Sequence, residues 1–328
     1  MSIWRNRRVF FLGVNTGYVS NGEPDDRYVE FYRLRASPKL HCAIVGNVVV
    51  PGGYGSNEAT PTLTRSRIWR TVAEAISVKG CLPGIQLATT WEGYSGNTGF
   101  VGPKHGQVIA AARALVKWLG ARGVENALRT FDKAAQMAVE HGFLHVQFHA
   151  AHGYLLSLLV DERINPNAEQ VLDRLSEIAS RLAGAGVESS IRISLRTGDE
   201  EFDAIGSPRF HDRIAGTPFD YIDLSSGFYN IDKRLIYPSR SDVRVSRVTE
   251  SCVVAERHPQ KGFILSGLAG KDKKFELPSN LHIGLCRDLI ANPDFLEQPN
   301  DGCGNRNKCH YFSRGEKHLT CAVWEARK

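Results

Sequence analysis

Two histidines and a tyrosine, His149, His152 and Tyr154, fall together in the segment LHVQFHAAHGYLL, residues 144–156. Each can donate a hydrogen bond while uncharged, so three donors are gathered in one short stretch. Just before them Leu144, Val146 and Phe148 alternate with His145, Gln147 and His149, the two-residue period of a strand with one apolar and one polar face. The donors therefore stand where a strand opens into a loop. Its apolar face requires a covering layer of helices.

Seven more strands surround this one in the sequence. Arg8–Val14 reads as a first buried strand, followed by a loop bearing Gly17, Gly22 and Pro24 and a helix over Asp26–Arg35. Ala43–Val50 is almost continuously apolar, as a parallel strand covered on both faces should be, and PGGYG breaks it. A helix over Arg65–Val78 leads to the strand GIQLA, Gly84–Ala88, and then to a glycine-rich loop over Thr89–Lys104. Helices follow at Gly106–Leu119 and Val124–His141, the second with Val124, Leu128, Phe131, Ala135 and Ala138 on one stripe. Beyond the central strand come a helix at Ala168–Ala183 and strands at Glu188–Ser194, Phe219–Leu224, Gly262–Ser266 and Leu281–Leu285.

Eight strands alternating with helices predict an α/β protein, a closed (β/α)8 TIM barrel. An open nucleotide-binding sheet would carry GxGxxG after its first strand, where this chain has LGVNTG. No compositional break divides residues 1–298, the expected barrel. Residues 299–328 form a short cysteine-containing extension expected to pack on it. In such a barrel the functional groups lie at strand C-termini, and Gln86, His149, His152, Arg192, Ser225 and Gly227 all fall there or on the polar face just below.

HAAHGYLL resembles the fourth-strand signature of the Old Yellow Enzyme family, NAD(P)H-dependent FMN oxidoreductases built on a (β/α)8 barrel, and FDYIDLSSG and GLCRDLIANPDF follow in that family's order. The resemblance implies that His149 and His152 bind the activating oxygen of the substrate. Tyr154 would be the proton donor, with Tyr18 as a second candidate. Gln86 is similar to the Gln that hydrogen-bonds the flavin ring, and Arg192 to the cation near flavin N1 and O2. Two-electron reduction puts negative charge on that side of the ring, and a fixed guanidinium stabilises it. Asn47, in Gly46-Asn47-Val48, would lie beneath the ring, with Gly13, Val14 and Asn15 at the end of the first strand. Gly267, Gly284 and Arg287 would bind the phosphate, and Cys286 occupies the usual second glycine.

The implied activity is reduction of an activated C=C bond in a small-molecule substrate, with NADPH or NADH reducing FMN. The alternatives are a flavin-dependent dehydrogenase or isomerase of a biosynthetic intermediate, or a redox-inactive barrel acting as a binding or scaffold subunit. Several positions depart from the family. Gln147 stands where an acid is usual, Gln86-Leu87-Ala88-Thr89 replaces Gln-Leu-x-His, and the loop after the fourth strand is cut to Asp161–Asn167. The segment from Gly267 to Leu281 is too short and polar for a full helix. Remodelled loops imply a dedicated pathway substrate.

The net charge of +6 comes from Lys and Arg spread along the whole chain, which implies a solvated surface and no nucleic-acid partner. No run approaches the roughly eighteen apolar residues of a membrane span. MSIWRNRRVFFLGVN has too short an apolar run for a signal peptide, so the expected location is cytoplasmic. Of seven cysteines, Cys42, Cys81, Cys252 and Cys286 are scattered as small apolar residues. Cys303-x5-Cys309-x11-Cys321 lacks the fourth Cys and the close Cys pair that some relatives use for an iron–sulfur cluster. Three thiolates with His318 form a ligand set for tetrahedral zinc. The other reading is an unmetallated extension packed on the barrel or on a second copy in a homo-oligomer.

Overall fold

The computed structural model describes residues 6–96, 99–102, 105–268 and 275–326. In chain order it contains β1 (Val9–Phe11), β2 (Val19–Ser20), β3 (Glu23–Pro24), α1 (Asp26–Arg35), β4 (Cys42–Val49), α2 (Ile68–Ser77), β5 (Leu82–Ala88) and α3 (His105–Glu140). Then come β6 (His145–Ala150), α4 (Leu155–Leu159), α5 (Ala168–Gly184), β7 (Glu188–Ser194), α6 (Glu200–Asp203), α7 (Ser207–Ala215), β8 (Tyr221–Ser225), α8 (Lys233–Ile236) and α9 (Ser241–Arg257). The chain ends with β9 (Gly262–Leu265), β10 (Leu281–Leu285), α10 (Arg287–Ala291), a 3-10 turn at Phe312–Arg314 and α11 (Ala322–Ala326).

Strands β1, β4, β5, β6, β7, β8, β9 and β10 pair in sequence order, all parallel, and β1 closes on β10. This is the expected (β/α)8 barrel. Alternation along the strands creates two cores. Phe11, Val45, Ile85, Val146, Phe148, Ile191, Ile222, Phe263 and Ile283 point outward into the main cluster beneath the helices. Phe10, Leu12, Cys42, Ile44, Tyr221 and Ile264 form a separate small cluster inside the barrel. That inner cluster fills mainly the β1–β4 and β9–β10 side. The interior positions of β5 to β8 carry polar groups instead.

The helices follow local rules. Asp25 caps α1 by accepting from the amide of Arg27, with Asp26 in the first turn and Arg33 and Arg35 in the last, each charge matched to the helix dipole. On α5, Val171, Leu172, Leu175, Ile178, Ala179 and Leu182 are buried on one face.

Three features differ from the sequence-based expectation. The two helices expected over 106–141 are one run, α3, broken only at Gly120, whose φ of 58° and ψ of −177° leave the helical region. Residues 19–24 make a small antiparallel hairpin, β2 with β3, where a loop was expected. Helix α9 was not expected, because its buried face mixes Arg247 and Ser251 with Val248, Val254 and Ala255. Of the two expected irregular segments, residues 97, 98, 103, 104 and 269–274 lie outside the described residues. Among the described residues, no helix is long and apolar enough to cross a membrane.

Candidate active site at the barrel mouth

A column of polar side chains rises through the β5–β8 side of the barrel. At its foot Glu188 Oε2 lies 2.7 Å from His41 Nε2 and 3.2 Å from His145 Nδ1. Burial pushes this carboxyl up, but the hydrogen bonds from His145 and His41 outweigh it and hold Glu188 well below the usual carboxylate range. His145 Nε2 meets Ser190 Oγ at 2.7 Å, and Gln147 Nε2 donates to the same hydroxyl at 3.1 Å. Gln86 Nε2 donates to Gln147 Oε1 at 2.5 Å. Above them Arg192 Nη1 donates to Asp223 Oδ2 at 2.5 Å and Nη2 to Ser225 Oγ at 3.2 Å, and Ser225 Oγ lies 2.7 Å from His152 Nε2. The pairing register makes this possible: His149, Arg192 and Asp223 are aligned across β6, β7 and β8.

The column ends in the expected donor triad. The His149 ring is centred 5.0 Å from that of His152 and 4.9 Å from that of Tyr154. His152 has φ of 65°, and its amide donates to Ser194 Oγ at 3.0 Å, so Ser194 fixes the turn that follows β6. Burial, then the nearby Arg192, pushes the His149 pKa well below its ordinary value. Burial, then His149, Arg192 and Arg247, does the same to His152. Both imidazoles are therefore neutral at neutral pH, each with one N–H to give. His149 Nδ1 is buried with no partner among the described residues. Burial pushes Tyr154 well above its ordinary value, so the phenol keeps its proton. Aromatic rings wall the triad: Tyr229 stacks on Tyr154 at 5.6 Å, and Tyr94 meets it edge-on at 5.9 Å.

Beside the column Gly13, Gly46 and Gln86 converge. A Cβ on Gly13 would lie 3.3 Å from the Gly46 carbonyl and 3.4 Å from Gln86 Oε1. Fully buried Tyr32 fixes this corner, its hydroxyl donating to Val14 O at 3.2 Å and lying 3.3 Å from the Gly46 amide nitrogen. Asn47 and Asn15 flank the same corner, Asn47 facing the Tyr154 hydroxyl and Asn15 donating to Thr60 Oγ1 at 3.1 Å.

A second corner is cationic. Arg287 donates to Pro238 O at 3.0 Å and to Asn305 Oδ1 at 3.2 Å. Arg247, from α9, donates to Leu235 O at 2.5 Å and to Ser266 Oγ at 3.3 Å, and its Nη1 is 3.4 Å from where a Gly267 Cβ would lie. Burial, with Arg192 and Arg287 against Glu250 and Asp223, pushes Arg247 down to about 10. Neither Arg247 nor Arg287 has an ion-pair partner among the described residues. Arg247 was absent from the expected set. Its only sequence signal is a cation on the apolar side of a helix.

Gly284 is placed differently from expectation. It is paired with Phe10 in the barrel wall, and a Cβ there would meet Leu12 Cδ1 at 2.6 Å and Ile264 Cγ2 at 3.0 Å. The missing side chain thus makes room for Leu12 in the inner core. Cys286 stands before α10 as its N-cap residue, and burial pushes its thiol up to about 12.

The extension crosses the mouth. Leu319 N donates to Thr16 O at 2.8 Å, Tyr311 Oη to Asn15 Oδ1 at 3.0 Å, and His310 packs edge-on against Tyr237 at 4.0 Å. Tyr18 belongs to this contact and not to the donor triad: it packs on Phe31 at 6.2 Å and His318 at 5.5 Å, beneath Arg27. The zinc expectation is corrected likewise. Among the described residues no three His, Cys, Asp or Glu side chains are placed to hold a metal ion. Cys303 Sγ instead accepts from the Asn305 amide at 3.2 Å, burial raises Cys309 to about 11, and His318 is spent on Tyr18.

Residues 5–171, about half of the chain, match the family model described as the NADH:flavin oxidoreductase / NADH oxidase family. The chain belongs to this family. Its curated relatives include 12-oxophytodienoate reductase 2 of Arabidopsis thaliana, 24% identical over 220 residues that cover 61% of this chain and 54% of that protein. The flavin oxidoreductase hxnT of Emericella nidulans is 26% identical over 227 residues, 60% of this chain and 51% of that protein. The chain thus spans about half the length of the curated relatives it matches. Among solved structures, histamine dehydrogenase from Rhizobium sp. 4-9 superposes with a TM-score of 0.72 at 16% identity, over 96% of this chain and 50% of that one, which shows a shared fold.

A flavin mononucleotide is a flat polar ring carrying a phosphate, and the residues of this chain can be set against each part. Buried Arg247, beside Gly267, and buried Arg287, neither with an ion-pair partner among the described residues, suit a phosphate. Gly13 and Gly46 approach each other beside Gln86 with no Cβ on either residue, as a flat ring laid against backbone requires. The orphaned His149 Nδ1 faces the same region as its neighbours His152 and Tyr154. The residues fit the group.

Proposed function

We propose that the protein binds FMN across the barrel mouth and reduces an activated C=C bond of a small molecule, with NADH or NADPH as the source of electrons. The observation that carries this is the buried His149 Nδ1 beside neutral His152, at one end of a site whose other end holds Arg247 and Arg287, with no hydrogen-bond partner for the first and no ion-pair partner for the other two among the described residues. Gln86 would hold the ring edge, Asn47 and residues 13–15 its face, Arg192 its electron-accepting side, and Gly267, Arg247 and Arg287 the phosphate. When bound, FMN supplies the two-electron chemistry that these side chains lack.

The side chains do the rest. His149 and His152 donate to the carbonyl or nitro oxygen of the substrate and draw charge toward it. One preorganised donor of this kind is worth about 3 kcal/mol in other enzymes. Ser225 holds the His152 ring by Nε2, while Ser194 holds its backbone. Tyr154 keeps its proton because burial disfavours the phenolate, and gives it to the carbon next to the new C–H bond. Tyr229, Tyr237 and His310 exclude water, so the extension, residues 299–328, walls the same site.

The test is the visible spectrum of the purified protein, with the released chromophore identified, followed by anaerobic turnover of an enone with NADH or NADPH. Released FMN is expected, with turnover lost in His149→Ala plus His152→Ala while FMN stays bound. A colourless protein that also fails to bind added FMN would overturn the reading. Product formed without consumption of NAD(P)H would replace reduction by isomerisation.

A further inference from the structure

Asp223 makes no hydrogen bond to the donor triad or to Arg247 and Arg287, yet it is fully buried at the middle of the barrel. Its Oδ2 accepts from Arg192 Nη1 at 2.5 Å and from Gln147 Nε2 at 3.3 Å, whereas its Oδ1 has no partner among the described residues. A carboxyl half-satisfied in a dry interior opposes folding, so its presence asks for a use beyond stability. Arg192 is held from β8 at both terminal nitrogens, by Asp223 and by Ser225, which fixes its guanidinium and sets a negative charge against it. The neighbouring Gln147, at a position where the family resemblance has an acid, is neutral, so the negative charge in this layer comes from Asp223.

We propose that Asp223 is a positioning residue that lowers the redox potential of FMN bound at the mouth, by clamping Arg192 and offsetting its charge. The inference rests on the FMN reading and on Arg192 facing the side of the ring that gains charge. A lone buried guanidinium there would favour the reduced form strongly. The same guanidinium paired with a carboxylate favours it less, so the reduced form is the stronger donor of electrons. Gln147 supports the arrangement by donating to the same Oδ2, which keeps the carboxyl turned toward Arg192.

The experiment is a spectroscopic redox titration of FMN-loaded wild-type protein and of Asp223→Asn, at a pH well above the ordinary carboxylate range, together with the affinities of both for oxidised FMN. Asn keeps the shape and an oxygen for Arg192 but removes the charge. We expect reduced FMN to be favoured over oxidised FMN about tenfold more in the variant, an upward shift of about 30 mV for a two-electron couple. Asp223→Glu, which restores the charge, is expected to bring the potential back toward wild type. Should Asp223→Asn not fold, Asp223→Ser removes the same charge while leaving a hydroxyl to accept from Arg192. A potential that is unchanged or lower in a charge-removing variant that still holds FMN overturns the inference and leaves the FMN reading intact. Wild-type protein that binds no FMN overturns both.

Discussion

Substituting Gly17 by Ala should dislodge the C-terminal extension, and Gly22→Ala supplies the control. Both glycines have positive φ, +67° and +76°, so each Ala pays the left-handed strain of about 1–2 kcal/mol. At Gly22 nothing lies within 4 Å of the new Cβ. At Gly17 it would stand 2.6 Å from the Lys317 carbonyl oxygen, 2.9 Å from His318 Cα and 2.9 Å from Tyr311 Cε2. Two of these are backbone atoms, so the extension must move as a piece. Movement exposes Leu319, now 2% exposed, at about 1.5–3 kcal/mol, and breaks its backbone hydrogen bond to Thr16, about 1 kcal/mol more. Gly17→Ala should thus lose about 2.5–4 kcal/mol beyond Gly22→Ala in urea unfolding, and a protease should cut it early within residues 303–321. Equal stabilities and equal proteolysis of the two variants would refute the docking of the extension on residues 15–17.

Two further outcomes are expected. Burial pushes the His211 pKa down to about 4, with Nε2 3.1 Å from Leu195 O, and lowers His149, His152, His282 and His310 as well. Because the folded pKa lies below the unfolded value of about 6.5, the unfolded chain takes up the proton first: stability is indifferent above about pH 6.5 and falls as pH drops toward 4. His211 alone contributes about 3 kcal/mol of that fall, so chemical unfolding followed against pH should steepen below about 6.5, and less so in His211→Gln. Arg247→Met should weaken FMN binding about 10- to 100-fold, the worth of a charge-assisted hydrogen bond. Riboflavin, which lacks the phosphate, should bind the variant and wild type alike in a fluorescence titration, and an equal loss for both ligands would place Arg247 elsewhere.

The barrel was legible because parallel strands covered on both faces read as apolar runs, and every expected strand overlaps an observed one: Ala43–Val50 against β4, Glu188–Ser194 against β7. What was not legible was too short or too irregular to show a period. Residues 19–24 offer only two-residue strands, too short for any period to show. Helix α9 hides its inner face because Arg247 there is satisfied by Leu235 O and Ser266 Oγ, not by solvent, and Ser251 is buried beside it. Gly120 breaks α3 by one residue's φ and ψ, where composition suggested a gap of several.

The site divides along the same line. Residues that act through their own strand position were visible: His149 and Gln86 lie on the polar side of a two-residue alternation, and the structure sets both inside the barrel. Residues that act through a partner on another strand were not. Asp223 sits in Tyr221–Ser225 as one acid in a short apolar strand, a pattern that more often means a satisfied structural group. Its meaning comes from the register that aligns it with Arg192 and from the barrel closure that turns both inward. Tyr18 errs in the opposite direction. Its residue type suits proton transfer, but the β1–α1 connection carries it outward onto Phe31 and the extension, a path set by the hairpin of β2 and β3. Strand alternation tells which face a side chain takes. Which group it meets there is decided by register and closure, which join residues 31 or more positions apart, as in Arg192 with Asp223.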